Sequence, residues 1–415
     1  MMARRRRLLG PNVRLFYEDP VHLVRGEGAW AWDAAGRRYL AAYNNVAQFG
    51  HCHPAVVSPI TRQAGLLNTH TRYLHDGILD YVERLVALLP DAITCAAMVC
   101  TGSEANDLAL RMAQAATGQR GIIATDHTYH GNTAAVSQLS TISPPVGGFA
   151  GHIRHVAAPD SYRPLGGSAA FTLAVETACA SLIADSHGVS AMILCPLFVN
   201  EGFPDLPPCF LDPARVVLRR HGGLLIADEV QPGFGRIGSH FWGHQRAAVV
   251  PDIVTMGKPM GNGHPVAALA TSDAIMSAFR ANFGYFNTFG GNPVSCAAAI
   301  AVLDVIEGEG LQAKAAQTGT LLLAGLARLA EKHPMIGDIR GSRLAIGAEI
   351  VSDRRANTAD AATCLRIVNA MRQGGVLMGS NGIHANVLKI GPPMAFGPAE
   401  AALLLDLLDE VLAGL

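Results

Sequence analysis

The sequence predicts an α/β protein: a mostly parallel sheet covered by helices on both faces, followed by a smaller α+β part. Three observations carry this. Short apolar runs recur at 98–100, 122–124, 191–194, 224–227, 253–256 and 266–271, each bounded by glycines or polar turns. They are too short for helices and too apolar for half-exposed strands, as expected of strands buried on both faces. Helical stretches separate several of them, the βαβ alternation of a parallel sheet. From residue 336 the order changes to strands at 344–351 and 387–390 mixed with helices at 359–373 and 398–413.

In chain order, residues 21–46 alternate apolar and polar positions and read as two strands around a turn at Asp33–Gly36. Gly50 to Pro54 breaks the chain, and a helix follows to about Leu67. Apolar residues at helical spacing over 78–89 predict another helix, closed by Pro90. The strand 98–100 runs into Thr101-Gly102-Ser103-Glu104-Ala105-Asn106 and a helix from Asp107 to Ala116. The strand 122–124 runs into Asp126-His127-Thr128-Tyr129-His130-Gly131. Residues 144–168 are rich in proline and glycine and read as loop, and 171–186 as helix. Strands 224–227 and 253–256 end in Asp228-Glu229 and Gly257-Lys258. Long helices are expected at 294–307 and 313–332.

Composition bounds the function. The chain has 415 residues, 50% hydrophobic and 16% charged, which suits a filled core rather than disorder. Lys plus Arg number 32 and Asp plus Glu 33, so no net positive field argues for nucleic acid as a partner. Eight cysteines, none in a CxxC pair, read as free thiols of a reducing compartment, and a cytoplasmic location is expected. Arg4–Arg7 read as a solvated, mobile arm; no secretory signal and no run of membrane-spanning length are expected. His51 and His53 lack further ligands at zinc spacing, so no metal is expected.

The chemistry is read from the strand ends. An open α/β sheet binds ligands at the carboxyl ends of its strands, where Asp228 and Lys258 fall. A lysine on a dry ledge loses its charge easily and forms a Schiff base with an aldehyde. An aspartate keeps a pyridine nitrogen protonated, making the ring an electron sink. Together they are the pair that pyridoxal phosphate requires. Gly102 and Ser103, between a strand and a helix start, outline an anion site of free amides and a hydroxyl. Tyr129, just past a strand end, is placed to stack on a flat ring.

These features, with Asp228-Glu229-Val230-Gln231-x-Gly233-x-Gly235-Arg236 before Lys258, resemble the class III, or ω-, aminotransferases over nearly the whole chain. The resemblance implies fold type I: a large cofactor domain with a seven-stranded-type sheet, and a small α+β domain drawn from both termini. The expected division is 1–55, 56–310 and 311–415. It implies pyridoxal 5'-phosphate linked to Lys258, which also moves the substrate proton. Asp228 pairs with the pyridine nitrogen, Val230 and Tyr129 pack on the ring faces, and Gln231 lies near the ring hydroxyl. Gly102 and Ser103 hold the phosphate, Thr288 reaches it from a second subunit of a homodimer, and His130 stands behind the cofactor. The partners implied are an amine and a 2-oxo acid.

Two departures bear on substrate. Many members keep a glutamate on the strand before the cofactor aspartate; here Cys195-Pro196 stand there, with Glu201 displaced. The arginine that would pair with it is replaced by Lys389. The segments Tyr43-Asn44-Asn45-Val46, Arg72-Tyr73-Leu74-His75-Asp76 and Val387-Leu388-Lys389-Ile390 resemble the subgroup of alanine–glyoxylate aminotransferase 2 and the ethanolamine-phosphate and phosphohydroxylysine phospho-lyases. Tyr43, Arg72, Tyr73, Arg163 and Lys389 are the candidate substrate residues, with Arg72 or Arg163 as holders of a substrate phosphate. The reading is an aminotransferase; the alternative is elimination of phosphate and ammonia from a small phosphorylated amino alcohol.

Overall fold

The computed structural model describes residues 1–43, 46–164 and 166–415. Its centre is a seven-stranded sheet. Across it run Cys95–Val99, Ala267–Thr271, Ile253–Met256, Leu224–Asp228, Ala191–Leu194, Ile122–Thr125 and Ile153–Val156. Only Ala267–Thr271 is antiparallel to its neighbours. The strands from Ile253–Met256 to Ile153–Val156 pair in parallel. The middle strands are buried at every position but Leu224, which is why their sequences show no alternation.

Both faces are covered. Gly102–Thr117 lays Leu108, Ala109, Met112 and Ala113 against one face. Its start is fixed by a capping box: the Thr101 hydroxyl accepts from Glu104 N, and the Glu104 carboxylate accepts from Thr101 N. Gly167–Ala184 and Asp212–Arg220 pack together over the other face through Phe171, Val175, Val217 and Leu218.

Two smaller sheets flank this core. Leu23–Glu27, Trp30–Asp33 and Arg38–Ala41 form an antiparallel meander, joined in parallel by Val376–Leu377 from the far end of the chain. Ile336–Ser342, Ala345–Asp353, Val387–Ile390 and Gly379–Asn381 form an antiparallel sheet, with Thr358–Ala359 added beside Ala345–Asp353. The helices Leu311–Lys332, Ala361–Gly374 and Pro398–Ala413 pack with these strands in one continuous apolar core.

Several expectations need correction. The N-terminal segment makes three strands, because Gly28 turns the chain with a positive φ of 54° before the turn at Asp33. The loop expected over 144–168 contains the strand Ile153–Val156, an edge strand whose middle residues, Arg154 and His155, hid it. The helices Asp212–Arg220 and Asp273–Asn282 were not anticipated. The basic quartet Arg4–Arg7 lies on a helix, Met2–Leu9, that buries no residue. Contrary to expectation, one helix, Gly167–Ala184, is long and apolar enough to cross a membrane; its inner residues face the core.

Candidate active site

The loops at the carboxyl edge of the large sheet converge on one cleft of about 300 Å3, lined by Thr101–Ser103, Tyr129–Gly131, Cys195, Asp228, Val230, Gln231 and Lys258. Five of the seven strands therefore each lead into one part of this wall. Asp228 closes its strand opposite Thr255 of the next, and Glu229 N donates to Thr255 O at 2.8 Å. The next strand delivers Lys258 to the same cleft. Burial pushes the Lys258 ammonium below the ordinary lysine range, while Asp228 and Cys195 pull it back.

Asp228 is nearly inaccessible and held by three donors. Asn106 Nδ2 and His130 Nδ1 lie 2.9 and 2.7 Å from Oδ2, and Val230 N lies 3.0 Å from Oδ1. Asn106 is itself oriented: its Oδ1 accepts from the Thr255 hydroxyl at 2.6 Å, and its Nδ2 also donates to His130 O at 2.7 Å. Sequence reasoning missed Asn106. The available signal was its spacing, one helical turn after Ser103 on the same face.

The helix Gly102–Thr117 begins at the cleft, so its first free amides and the positive end of its dipole face the cavity. Two glycines keep this corner open. A Cβ on Gly102 would lie 3.0 Å from a Val230 methyl. Gly131, at φ 138°, would place a Cβ 2.5 Å from Ser103 Oγ. Ser103 Oγ is held 3.2 Å from Asn132 N.

This donor set fits pyridoxal phosphate: an anion cradle at a helix start, a fixed carboxylate, and a desolvated lysine around a space that side chains at Gly102 and Gly131 would fill. The family model of the class III aminotransferases matches residues 16–412. The chain belongs to the class III aminotransferases. It is 41% identical to an alanine–glyoxylate aminotransferase 2-like protein of Drosophila melanogaster, over 98% of this chain and 84% of that one. Among solved structures, it resembles a phospholyase from Arthrobacter in complex with phosphoethanolamine, with 40% identity, a TM-score of 0.96, and coverage of 100% and 99% of the two chains. It also resembles the PLP-bound form of an amine transaminase from an uncultivated Pseudomonas species, with 28% identity, a TM-score of 0.86, and coverage of 96% and 95%. The fold is that of the fold type I enzymes, and the cofactor is pyridoxal phosphate.

Beside the cofactor cleft this class III protein has a second, more apolar cavity of about 550 Å3, sharing Val46, Tyr129, Gln231 and Lys258 with it. Phe16, Tyr17, Tyr43, Asn200 and Lys389 are among its other walls. Lys389 is the feature that sets its character. It is buried, donates to Gln231 Oε1 at 2.8 Å, and lies 5.0 Å from the Tyr43 ring centroid. Burial, with Lys258 and Arg236 nearby, lowers its pKa to about 7. Gln231 in turn donates to Asn200 Oδ1 at 3.3 Å.

The remaining candidates lie elsewhere. Arg163 is a correction: its guanidinium is engaged by Glu349, Asp160 and the Asn357 carbonyl, a tie between the 160s loop and the C-terminal sheet. Arg72 lies 4.0 Å over the Phe286 ring, and Tyr73 stacks on His70; neither lines the cleft of its own chain, and nor does Thr288. Asn44 and Asn45 lie outside the described residues. The signature residues Glu229 and Arg236 are structural. Glu229 accepts from Gly243 N, His244 N and His244 Nδ1, and Arg236 ties Gln48 to the Pro392 carbonyl.

Proposed function

We propose that this protein transfers an amino group from an amine or amino acid bearing an acidic group to a 2-oxo acid. The observation that carries the acidic group is Lys389, a buried cation beside Lys258 whose one hydrogen-bond acceptor among the described residues is the neutral Gln231. Pyridoxal phosphate, when bound, supplies an aldehyde that takes up the amine and a ring that accepts the electron pair left when a proton departs. Lys258, desolvated and able to shed its charge, would take that proton from the substrate carbon and carry it onward rather than back to the same carbon. Asp228, oriented by Asn106, His130 and Val230 N, would face the ring nitrogen. The cradle at Gly102 and Ser103 would anchor the phosphate, and Val230 and Tyr129 would flank the ring.

Lys389→Met is expected to raise KM for an anionic donor by about 10- to 100-fold, the worth of one charge-assisted hydrogen bond, with kcat little changed. A neutral amine should bind both proteins alike; equal KM values for the anionic donor would sink the assignment. The sign with pH follows from the charge. Lys389 carries its proton below about pH 7 and loses it above, so affinity for an anionic donor is present on the acid side and falls as pH rises through that value. A bound anion moves this midpoint upward.

A second reading is elimination of phosphate and ammonia from a small phosphorylated amino alcohol. The similar Arthrobacter phospholyase, solved with phosphoethanolamine, favours it. A half-reaction separates the two. Holoenzyme without oxo acid is mixed with alanine or with ethanolamine phosphate, and carbonyl product and inorganic phosphate are counted per site. One carbonyl product per site and no phosphate means transamination; repeated phosphate release overturns it for elimination.

We further propose a homodimer. The segments carrying Tyr73, Leu74, Thr288 and Phe289 are exposed and apolar, and Arg72 on Phe286 links them. A second copy would cover them and bring Thr288 to its partner's cofactor phosphate. Sedimentation of the active protein as a monomer would refute this.

A further inference from the structure

One residue on the wall of the second cavity, Asn200, has a contact that no step of the reaction uses. It lies on the loop between the strand Ala191–Leu194 and the helix Asp212–Arg220. The C-terminal sheet and the turn after its strand Gly379–Asn381 grip that loop by its carbonyls. Asn381 Nδ2 donates to Val199 O, Gly382 N to Asn200 O at 3.0 Å, and Arg340 Nε to Gly202 O at 2.6 Å. Arg340 is itself buried and paired with Glu349 of the same sheet. Phe198, Gly202 and Phe203 take positive φ values of 46°, 104° and 57°. The two phenylalanines hold a disfavoured backbone, which persists only where the surroundings over-determine it. Glu201, next to Asn200, is buried, and its Oε1 accepts from the Thr125 hydroxyl of the large sheet at 2.8 Å.

The same small sheet carries Lys389, on the strand Val387–Ile390, opposite Gly379. Gln231, just past the large-sheet strand Leu224–Asp228, stands between Lys389 and Asn200. Its Oε1 accepts from Lys389 Nζ at 2.8 Å, and its Nε2 donates to Asn200 Oδ1 at 3.3 Å. Donor and acceptor chemistry fixes this order. An ammonium only donates, so Lys389 needs the carbonyl end of the amide. Asn200 then meets the NH2 end and must offer its own oxygen. A reversed Gln231 amide would set NH2 against ammonium at one end and oxygen against oxygen at the other. Each contact therefore opposes the turn that would break the other. Lys389 Nζ is held between the Gln231 carbonyl and the Tyr43 ring, and its other hydrogens are left for the cavity that it lines.

We propose that Asn200 is a positioning residue that sets the preference of the cavity for an acidic group. By holding the Gln231 amide with its carbonyl toward Lys389, it keeps the ammonium aimed at the substrate. Asn200 and Lys389 are linked through Gln231. The C-terminal sheet thus delivers both the charge and, by the loop it grips, the group that orients it. The inference rests on the reading of Lys389 as the partner of an acidic donor.

A double-substitution cycle tests it, read by calorimetry of propionate binding to the holoenzyme on the acid side of the Lys389 midpoint. Propionate has the carboxylate but no amine, so it reports on the cavity without turnover. Asn200→Leu is expected to weaken its binding about five- to tenfold, the worth of one hydrogen bond, and Lys389→Met to weaken it more. Added to Lys389→Met, Asn200→Leu should weaken binding less than about twofold further, because the charge it orients is gone. Asn200→Ser, too short to reach Gln231, gives the same cycle if the leucine variant does not fold. Equal losses in the two backgrounds overturn the proposal and leave the Lys389 reading standing. So does an Asn200→Leu protein with parental affinity. A parent that does not bind propionate, or a Lys389→Met protein with parental affinity, overturns both. Coupled losses in a protein that neither transaminates nor releases phosphate would uphold the role of Asn200 and refute the activity reading instead.

Discussion

Lys258→Ala is expected to lower kcat by about 10^4-fold, the upper range for loss of a positioned proton carrier, since no other amine lies at the same strand end. Lys389, the other amine on the cavity wall, is tied to Gln231. The absorbance of the lysine-linked cofactor should vanish with the activity, while the cradle at Gly102 and Ser103 still holds the phosphate. A variant that retains more than about one-hundredth of parental kcat would remove Lys258 from its role. The same substitution should also raise the melting temperature of the cofactor-free protein. The folded pKa of Lys258 is depressed, so the unfolded chain binds more protons in the window between the folded and unfolded values. Stability therefore rises with pH through that window, and at neutral pH the buried lysine is a cost that alanine relieves.

Asp228→Asn is expected to reduce kcat by about 10^2- to 10^3-fold, the scale of losing one fixed electrostatic partner in a dry site. Cofactor stoichiometry should stay near one per chain, because the anion cradle and Lys258 are untouched. Turnover at the parent rate would refute the pairing of Asp228 with the ring. A stability loss of about 1–3 kcal/mol should accompany the change. The parent carboxylate accepts from three donors, on both of its oxygens. Whichever way the introduced amide turns, its hydrogens meet a donor: Asn106 and His130 on one side, Val230 N on the other. The melting curve of the variant checks this.

What could be read from the residues follows from how local each signal is. The strand ends bearing Asp228 and Lys258 were legible because short apolar runs bounded by glycine describe buried parallel strands with little help from context. The anion cradle was legible for the same reason, since a strand, a Gly-Ser turn and a helix start are contiguous. The strand Ile153–Val156 was not, because as a sheet edge it carries Arg154 and His155. Arg163 was placed at the substrate because charge alone does not say where a side chain turns; its partner, Glu349, is remote in sequence. Glu201 was seen as out of position for one role, but its burial depends on a loop fold that no spacing rule describes.

The N-terminal meander has a consequence for the order in which the molecule is made. Tyr17 donates to the Met378 carbonyl across 361 residues of chain, and Glu18 N to Asn369 across 351. The strand Arg38–Ala41 likewise waits for Val376–Leu377. On the ribosome, the seven strands of the large sheet emerge long before these partners do. The segment that carries Phe16, Tyr17 and Tyr43 is therefore made well before the residues that secure it, its apolar side chains unsheltered while the large sheet is synthesised. The floor of the cleft can be laid down early, while the outer wall lined by Phe16, Tyr17 and Tyr43 must await Leu377 and Lys389.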